Sequence, residues 1–399
     1  MRNPSGGWQR VASSTGLLAA DGSSSPTIFA EMSALAAETG AINLGQGFPD
    51  EDGPAEVLEA ARAAIASGVN QYPPGRGTAD LRAAIAEHQA RFYGLAVDPD
   101  REVLVTAGAT EALAATLLAV LEPGDEVVVF EPFYDAYAAG VALAGGVLVT
   151  VPLLWPTFQP DLDELRRAVG DRTRVILVND PHNPTGVVFD DEVRREVVRL
   201  AHRHDALIVT DEVYEHLVFD GRTHVPIATV PEARERTITI SSGGKTFSTT
   251  GWKIGWVIAP PALIDMILTV KQFLTYVNGS PFQPAIAVGL RLPDAFFRGI
   301  AAVLERKRDL LRSGLAAAGL PTFRAAGSYF TVADASELGV EDARAFCLEL
   351  PARAGVVAIP LAAFVTTAHR ARYAPLVRFA ACKRVDVIED ATRRLAASR

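Results

Sequence analysis

The sequence has few cysteines, no excess of basic residues and no visible internal repeat. Only two cysteines, Cys347 and Cys382, occur among 399 residues, which is too few for a disulfide framework or a zinc cluster and suits a reducing cytoplasm. The 38 Lys and Arg residues against 47 Asp and Glu residues give a net charge of −9, so the chain lacks the basic footprint of a nucleic-acid-binding protein. We therefore expect a cytoplasmic protein that binds no nucleic acid.

Apolar runs suited to a membrane are also missing. Residues 136–160 carry no charge and have the length of a membrane-spanning helix, but Gly145-Gly146 and Pro152 interrupt them. We interpret this stretch as a helix, a turn and a strand in a protein core. The first 27 residues are rich in glycine and serine and contain no run long enough for the core of a secretory signal. The sequence thus predicts a soluble protein with a flexible N-terminal extension over residues 1–27.

Hydrophobic patterning predicts an α/β protein with two domains. A domain usually has about 100–200 residues, and this chain is 49% apolar and 21% charged, as in ordinary globular proteins. Amphipathic segments alternate with nearly continuous hydrophobic runs, the pattern of strands buried on both faces of a mostly parallel sheet with helical crossovers. After Pro293 the pattern indicates a smaller α+β domain. The predicted helices are 55–67, 79–93, 110–121, 162–169, 190–204, 301–318, 341–353 and one from residue 385, and the predicted strands are 102–106, 126–130, 174–179, 206–211, 237–241, 254–259, 329–333 and 376–381.

Polar, turn-forming residues follow four of the predicted strands. They are Gly108-Ala109-Thr110, the run from Asn179 to Gly186, the run from Asp211 to Tyr214, and the run from Ser241 to Thr246. Because ligands of open α/β sheets gather at the carboxyl ends of the strands, we expect these residues at one rim. Each group also has a plain structural interpretation: Thr110 as a helix N-cap, the asparagines as turn residues, and Asp211 as a cap.

Lys245 has the setting of a nucleophilic amine. Gly244-Lys245-Thr246 lacks the first glycine of a P-loop, because residue 239 is threonine, and an apolar strand rather than a helix follows. A lysine at an apolar rim can instead have its pKa lowered by desolvation and form Schiff bases with carbonyl substrates or pyridoxal phosphate. That cofactor needs an acid for its pyridine nitrogen and donors for its phosphate and ring oxygen. The chain offers such groups in Asp211, 108–110 with Ser242, and Asn183 with Tyr214.

The combined motifs resemble a known family. Asn183-Pro184-Thr185-Gly186, Asp211-Glu212-Val213-Tyr214, and 242–248 followed by 251–256 are similar to the class I aminotransferases, which are pyridoxal phosphate enzymes of fold type I. The segments 43–50, 70–72 and 131–134 resemble the branch of kynurenine aminotransferase, glutamine transaminase K and methionine aminotransferase, and within it the actinobacterial succinyldiaminopimelate aminotransferases. The resemblance extends from about residue 28 to the C-terminus.

The resemblance implies a role for each matching residue. Lys245 would form the Schiff base and carry protons, Asp211 would pair with the pyridine nitrogen, and Tyr214 with Asn183 would bind the ring hydroxyl. Phe133 would stack on the ring. The implied phosphate ligands are Gly108, Ala109, Thr110, Ser242, Lys253 and Tyr72 of the partner subunit. The implied substrate ligands are Arg378, which would clamp the carboxylate by two parallel hydrogen bonds, and Gly47 and Asn179.

The implied activity is transfer of an amino group between an L-amino acid and a 2-oxo acid by a ping-pong mechanism, without a metal. The resemblance also implies a homodimer with a shared active site, a large domain over 49–295, and a small domain built from 28–48 and 296–399. A pyridoxal-phosphate-dependent β-lyase or oxidase in a biosynthetic pathway is the alternative activity. A regulator that uses this fold is disfavoured, because the N-terminal extension has no helix-turn-helix pattern.

The substrate stays open at this level. Succinyldiaminopimelate, methionine, glutamine, kynurenine and aromatic amino acids all fit one carboxylate clamp. Asp180 departs from the family pattern, in which a small neutral residue is usual, and a carboxylate there could repel acidic substrates. Arg76 is a candidate for a second cation that would face an acidic substrate.

Overall fold

The structure is a computed structural model that describes residues 6–398. Its α-helices are α1 (Gly7–Ser14), α2 (Ile28–Thr39), α3 (Ala55–Ala66), α4 (Ala79–Tyr93), α5 (Gly108–Val120), α6 (Ala136–Ala144), α7 (Leu162–Ala168), α8 (Asp191–Arg203), α9 (Gly243–Thr246), α10 (Pro261–Lys271), α11 (Phe282–Leu290), α12 (Asp294–Ala317), α13 (Ala343–Ala354) and α14 (Val385–Ala397). Its strands are β1 (Ile42–Asn43), β2 (Val103–Ala107), β3 (Glu126–Glu131), β4 (Val147–Leu154), β5 (Gln159–Pro160), β6 (Thr173–Asn179), β7 (Leu207–Asp211), β8 (Thr237–Ser242), β9 (Ile254–Ile258), β10 (Phe330–Asp334), β11 (Val356–Val357), β12 (Ile359–Pro360) and β13 (Leu376–Ala380). Short 3₁₀ helices cover Ile227–Thr229, Arg234–Arg236, Thr250–Trp252, Ser336–Leu338, Leu361–Phe364 and Arg370–Tyr373.

Local sequence signals set the ends of several helices. The hydroxyl of Thr78 accepts a hydrogen bond from the Leu81 amide and so caps the start of α4. Gly94 ends the same helix at a φ of 68°, a left-handed conformation that glycine adopts without a side-chain clash. The carboxylate of Asp161 caps α7 in the same way as Thr78 caps α4.

One eight-stranded mixed sheet dominates the fold. Its strand order is β2-β9-β8-β7-β6-β3-β4-β5, and the pairs β8–β7, β7–β6, β6–β3 and β3–β4 are parallel. Strand β9 runs antiparallel to both β2 and β8, and β5 runs antiparallel to β4. This arrangement confirms the predicted α/β class with a mostly parallel sheet. The uncharged stretch 136–160 forms the predicted helix and strand, α6 and β4, and in addition the short strand β5.

Two smaller sheets lie outside the large one. Strands β10, β13 and β12 form an antiparallel sheet, and β1 pairs with β11 in parallel. One continuous apolar core joins both regions, since Ile176 and Val178 of the large sheet share it with Val377 of β13 and Leu395 of α14. The residues after Pro293 are therefore anchored on one face of the large sheet.

The N-terminal region differs from the expected flexible extension. Residues 7–14 form helix α1, which lies against α6, and the Ser14 hydroxyl donates a hydrogen bond to the Ala138 carbonyl at 3.3 Å. Ala12 is buried in this contact. Residues 1–5 lie outside the described part of the chain. Within residues 6–398, none of the helices has the length and apolar character needed to cross a bilayer.

Candidate active site

A cavity of about 190 Å³ opens at the carboxyl ends of the parallel strands. Strand register brings the predicted residues there, because Asn179 at the end of β6 lies directly opposite Asp211 at the end of β7. The residues that line the cavity are Gly108, Ala109, Thr110, Leu113, Tyr134, Asn179, Asn183, Asp211, Val213, Tyr214, Ser242, Gly244, Lys245, Thr250, Lys253 and Ile254. The four predicted segments thus meet at one rim, together with Tyr134 and residues of the segment 250–254.

One end of the cavity is built for an anion. Helix α5 begins at Gly108 and has no side-chain cap, so its first amides point toward the cavity without a partner from a capping residue. Thr110 therefore lies inside the helix and is not its N-cap. A side chain at position 255 would lie 2.7 Å from the Ala109 nitrogen, so Gly255 lets β9 approach these amides closely. The Lys253 ammonium lies beside Gly108 and adds a positive charge.

Asp211 is a buried carboxylate with a specific hydrogen-bond donor. The Tyr137 hydroxyl donates to Asp211 Oδ2 at 2.7 Å, and the Val213 amide lies 3.4 Å from Oδ1. Burial raises the pKa of Asp211, and the Tyr137 hydrogen bond opposes that rise by stabilising the carboxylate. Such a carboxylate suits a cationic partner in the cavity, such as a protonated pyridine nitrogen.

Lys245 is a buried amine between two tyrosine rings. Its Nζ lies 5.8 Å from the ring centroid of Tyr214 and 5.8 Å from that of Tyr329. Burial lowers the pKa of Lys245, which increases the fraction of neutral amine at a given pH. Burial also raises the pKa of Tyr214, so its phenol stays protonated and can donate a hydrogen bond. The pair therefore combines a nucleophile with a neighbouring proton donor.

Arg378 is a buried cation that contacts the lining residue Asn183 but does not itself line the cavity. Its Nη1 donates to Asn183 Oδ1 at 3.1 Å and its Nη2 donates to the Gly45 carbonyl at 2.7 Å. Phe330 and Phe364 lie 4.1 and 4.5 Å from the guanidinium carbon, measured to the ring centroids. Burial lowers the pKa of Arg378 to about 10. Across residues 6–398 no carboxylate forms an ion pair with this guanidinium and its Nε has no partner, so the site suits an incoming carboxylate.

The two asparagines connect this cation to the strand ends. Asn179 Nδ2 donates to the Asp211 carbonyl at 2.8 Å, and Asn179 Oδ1 accepts from the Asn183 amide at 2.6 Å. The side-chain oxygen Oδ1 of Asn183 accepts from Arg378. The side-chain nitrogen Nδ2 of Asn183 is therefore able to donate into the cavity. Asn179 therefore fixes the local backbone in addition to lining the cavity.

Gly47 lies where a side chain would collide with the aromatic wall. A Cβ atom at this position would be 2.5 Å from Cζ of Phe330, the ring that covers Arg378. The Tyr329 hydroxyl donates to the Gly47 carbonyl. Gly47 thus supports the arginine site through Phe330 and Tyr329.

The structure corrects the expectation for Phe133. Its ring is buried in the apolar core against α5 and α6, and the neighbouring Tyr134 lines the cavity instead. The segment between β3 and α6 is irregular, so the alternation of side chains along a strand does not apply to it. Tyr134 and the Asp211 partner Tyr137 are the residues that sequence reasoning missed.

Tyr72 lies away from the cavity of its own chain. Its side chain is 81% exposed and contacts the ring of Tyr276, with 5.6 Å between the centroids. Arg76, the candidate second cation, forms an ion pair with Asp265 and is not among the cavity residues. The structure therefore brings neither residue to the site of its own chain.

Asp180 and His182 are structural residues of the turn after β6. Asp180 is buried outside the cavity, where its carboxylate accepts from Arg194 Nη1 at 3.0 Å, and burial raises its pKa to about 6. His182 Nδ1 lies 2.8 Å from the Thr185 hydroxyl, and burial lowers the pKa of His182 to about 3. The carboxylate of Asp180 is thus neutralised away from the substrate and does not line the cavity.

Together these groups match the donor set for pyridoxal phosphate. The α5 amides with Lys253 and Ser242 would hold the phosphate, Asp211 would hold the ring nitrogen, and Lys245 offers the amine. The close contact of Gly255 with Gly108 leaves the α5 amides free of side chains on that side. The cavity therefore fits this cofactor.

Comparisons with known proteins give the same answer. A family model described as "Aminotransferase class I and II" matches residues 39–388. The chain is 50% identical over 377 residues to a probable N-succinyldiaminopimelate aminotransferase, DapC, of Mycobacterium tuberculosis, covering 92% of this chain and 95% of that protein. It is 40% identical over 338 residues to the methionine aminotransferase of Escherichia coli, covering 85% and 88%.

A solved structure agrees with these matches. The N-succinyldiaminopimelate aminotransferase of Mycobacterium tuberculosis superposes with a TM-score of 0.91 at 50% identity, covering 94% of this chain and 97% of that one. The resemblance predicted from the motifs is confirmed, and the β-lyase or oxidase alternative is not favoured. The chain belongs to the class I and II aminotransferases, the pyridoxal phosphate enzymes of fold type I that transfer an amino group between amino acids and 2-oxo acids.

Proposed function

We propose that this aminotransferase uses Lys245, Asp211 and Tyr214 as its catalytic residues and Arg378 as its carboxylate clamp. The observation that supports the proposal is that Lys245, Asp211 and Tyr214 line one cavity with the start of α5, and that Arg378 is hydrogen-bonded to Asn183 in the wall of that cavity. When bound, pyridoxal phosphate supplies a carbonyl that reacts with amines and a ring that accepts electrons from the Cα–H bond of the substrate.

The chain's own residues bind, orient and move protons. The α5 amides, Ser242 and Lys253 would bind the phosphate of the cofactor, and the Asp211 carboxylate would keep the ring nitrogen protonated. Lys245, whose pKa is lowered by burial, takes the proton from the substrate Cα and returns it. Tyr134, which lines the cavity, replaces Phe133 in our proposal as the aromatic residue that would stack on the cofactor ring.

Arg378 orients the substrate. Its Nε is buried without a hydrogen-bond partner, and two phenylalanine rings lie against the guanidinium. Two parallel hydrogen bonds to a carboxylate would fix the substrate Cα relative to Lys245. Gly47 and Asn179 complete this carboxylate site by supporting Phe330 and Asn183.

For the substrate we propose N-succinyldiaminopimelate. The support is the 50% identity to the Mycobacterium tuberculosis protein of that name, over 92% of this chain. Asp180 does not oppose this choice, since its carboxylate is paired with Arg194 outside the cavity.

We further propose a cytoplasmic homodimer with a shared site. Tyr72 and Phe273 are 81% and 86% exposed, and Tyr72 contacts Tyr276, so an aromatic surface is available for a second copy. Tyr72 of the partner subunit would then complete the phosphate site. Residues 49–295 would form the large domain, and 28–48 with 296–399 the small one.

Absorbance of the purified holoenzyme tests the proposed activity. We expect the near-visible band of bound cofactor to disappear on adding N-succinyldiaminopimelate and to return on adding a 2-oxo acid. In steady-state kinetics, we expect kcat/KM to be higher for N-succinyldiaminopimelate than for L-glutamate, L-methionine or L-kynurenine. A kcat/KM for L-methionine or L-kynurenine about tenfold above that for N-succinyldiaminopimelate would contradict the proposed substrate. Sedimentation of wild type and Tyr72→Ala tests the dimer, and we expect the variant to bind the cofactor more weakly.

A further inference from the structure

The segment after β7 has two functional faces. Asp211 and Tyr214 line the cavity, whereas Glu212, Glu215 and His216 are buried and are not among the residues that line it. Carboxylates are rarely buried without strong hydrogen bonds. The buried carboxylates behind the catalytic residues therefore need a physical explanation.

Glu215 accepts hydrogen bonds from two separate elements. The Ser241 hydroxyl on β8 donates to Glu215 Oε1 at 2.7 Å, and the Tyr93 hydroxyl at the end of α4 donates to Oε2 at 2.7 Å. Burial and the charge of Glu215 raise the pKa of Tyr93, so its phenol stays protonated and remains a donor. Both carboxylate oxygens thus accept from a neutral donor, the buried Ser241 and the half-buried Tyr93.

The hydrogen bond from Ser241 extends the connection between β7 and β8 past the last paired residues of these two strands. Paired residues of the two strands end at Asp211 opposite Ile240, and the Glu212 amide makes the last backbone bond, to the Ile240 carbonyl at 2.8 Å. One residue later on β8, Ser241 bonds the Glu215 side chain. This contact joins the residue after Tyr214 to the strand that leads into Ser242 and Lys245.

The nearby histidines act as a neutral pair. His88 Nε2 lies 2.6 Å from His216 Nε2, and both rings are buried beside Phe297. Burial lowers the pKa of both histidines, so one neutral ring donates to the other. Two nitrogens bound to one tetrahedral zinc ion would be about 3.3 Å apart, so this spacing indicates a hydrogen bond. The two histidines therefore bond to each other, and the Glu215 carboxylate accepts its hydrogen bonds from Ser241 and Tyr93.

A second buried pair lies on the other side of the segment. His224 Nε2 lies 2.8 Å from Glu212 Oε2, and the charge of Asp180 also acts on this histidine. Glu212 thus has its own partner and does not share that of Glu215. Of the two glutamates, Glu215 is the one whose side chain contacts β8 within hydrogen-bond distance.

We propose that Glu215 is a positioning residue: by accepting the Ser241 hydrogen bond, it holds Tyr214 at a fixed place relative to Lys245 and the bound cofactor. This inference rests on the proposed roles of Tyr214 and Lys245. A phenol that donates to the ring oxygen of the cofactor favours the deprotonated form of that cofactor. Cutting the link should therefore displace the phenol and raise the pH midpoint at which the cofactor's absorbance changes.

The test is a pH titration of the near-visible absorbance of the holoenzyme in three variants. Ser241→Ala removes the link to β8, and we expect it to raise the midpoint by about half a unit or more. Glu215→Gln weakens the link by replacing the carboxylate with a neutral acceptor, and we expect a smaller rise in the same direction. Tyr93→Phe removes only the link to α4, and we expect its midpoint to equal that of wild type even if it unfolds at a lower temperature. Melting temperatures of all holoenzymes separate positioning from general destabilisation.

Each outcome decides the inference. If Glu215→Gln does not fold, Ser241→Ala gives the same measurement in a less perturbed protein. Wild-type midpoints in Ser241→Ala, or an equal rise in Tyr93→Phe, would overturn the positioning role and leave the proposed function intact. A wild-type protein with no cofactor band at any pH would instead contradict the proposed function itself.

Discussion

Tyr137→Phe removes a single oxygen atom, and the surroundings of that atom determine the expected cost. The Tyr137 hydroxyl is the donor to Asp211 Oδ2 at 2.7 Å, and the other contact of the carboxylate, from the Val213 amide, is long at 3.4 Å. A hydrogen bond to a charged group contributes about 1.5–3 kcal/mol. If Asp211 holds the ring nitrogen, we expect the Kd for pyridoxal phosphate to rise on the order of 10- to 100-fold.

The pH dependence follows from the same bond. The bond favours the ionised carboxylate, so its loss raises the pKa of Asp211 further. Cofactor binding that needs this carboxylate is lost as the pH falls through that pKa, and the variant should lose affinity at a higher pH than wild type. The assay is a titration of the apoprotein with pyridoxal phosphate at pH 8 and at pH 6, and the deficit should be larger at pH 6.

Tyr373→Phe is the matched control. Its buried hydroxyl donates to the carbonyls of Glu131 at 3.0 Å and Leu153 at 2.8 Å, so the substitution removes the same atom and leaves Asp211 untouched. We expect a loss of stability and a Kd within about twofold of wild type. An unchanged Kd in Tyr137→Phe, or an equal rise in Tyr373→Phe, would refute the role that we assign to Tyr137.

Three further substitutions probe the substrate site and the turn beside it. Arg378→Lys loses the paired donors of the guanidinium, so kcat/KM for carboxylate substrates should fall by about tenfold or more in steady-state kinetics. Gly47→Ala would bring a Cβ within 2.5 Å of Phe330, so KM should rise and stability should fall by about 1–3 kcal/mol in chemical denaturation. Arg194→Met removes the cation that hydrogen-bonds the buried Asp180 carboxylate; because Asp180 can take up a proton at a pKa of about 6, the loss should cost about 1–2 kcal/mol at neutral pH and less below pH 6.

Controls separate these effects from general destabilisation. Arg308→Lys changes an equally buried arginine that pairs with Asp220, so it should lower stability without raising KM. A KM that Arg378→Lys leaves unchanged would contradict the carboxylate clamp. If the difference in free energy of unfolding between Arg194→Met and wild type stays constant from pH 8 to pH 5, that result would contradict the burial of a charged Asp180.

Much of the fold could be predicted because its strands are buried on both faces. The run Val175-Ile176-Leu177-Val178 was sufficient to predict a strand, and β6 covers it. The helix predicted over 190–204 is α8, Asp191–Arg203, whose acidic first turn, basic last turn and polar face are local signals. The antiparallel direction of β9 could not be predicted, because a hydrophobic run does not indicate whether a strand is parallel or antiparallel to its neighbours.

The site could be predicted where a motif follows a strand and not where distant residues meet. Asn179, Asp211 and Lys245 follow strands and lie together at the rim as expected. Tyr137 contacts Asp211 across 74 positions of sequence, and only the packing of α6 on the sheet brings them together. Tyr72 is exposed in one protomer, so its proposed role depends on a second chain that no local pattern describes.

Reduction of the holoenzyme with borohydride, followed by peptide mass spectrometry, tests the assignment of Lys245 most directly. Borohydride converts a lysine–cofactor linkage into a stable secondary amine and so marks the residue that holds the cofactor. We predict that the peptide containing Lys245 carries the reduced cofactor and that Lys245→Ala loses the near-visible band. A mark on Lys253 or another lysine, or a band that persists in Lys245→Ala, would contradict the account.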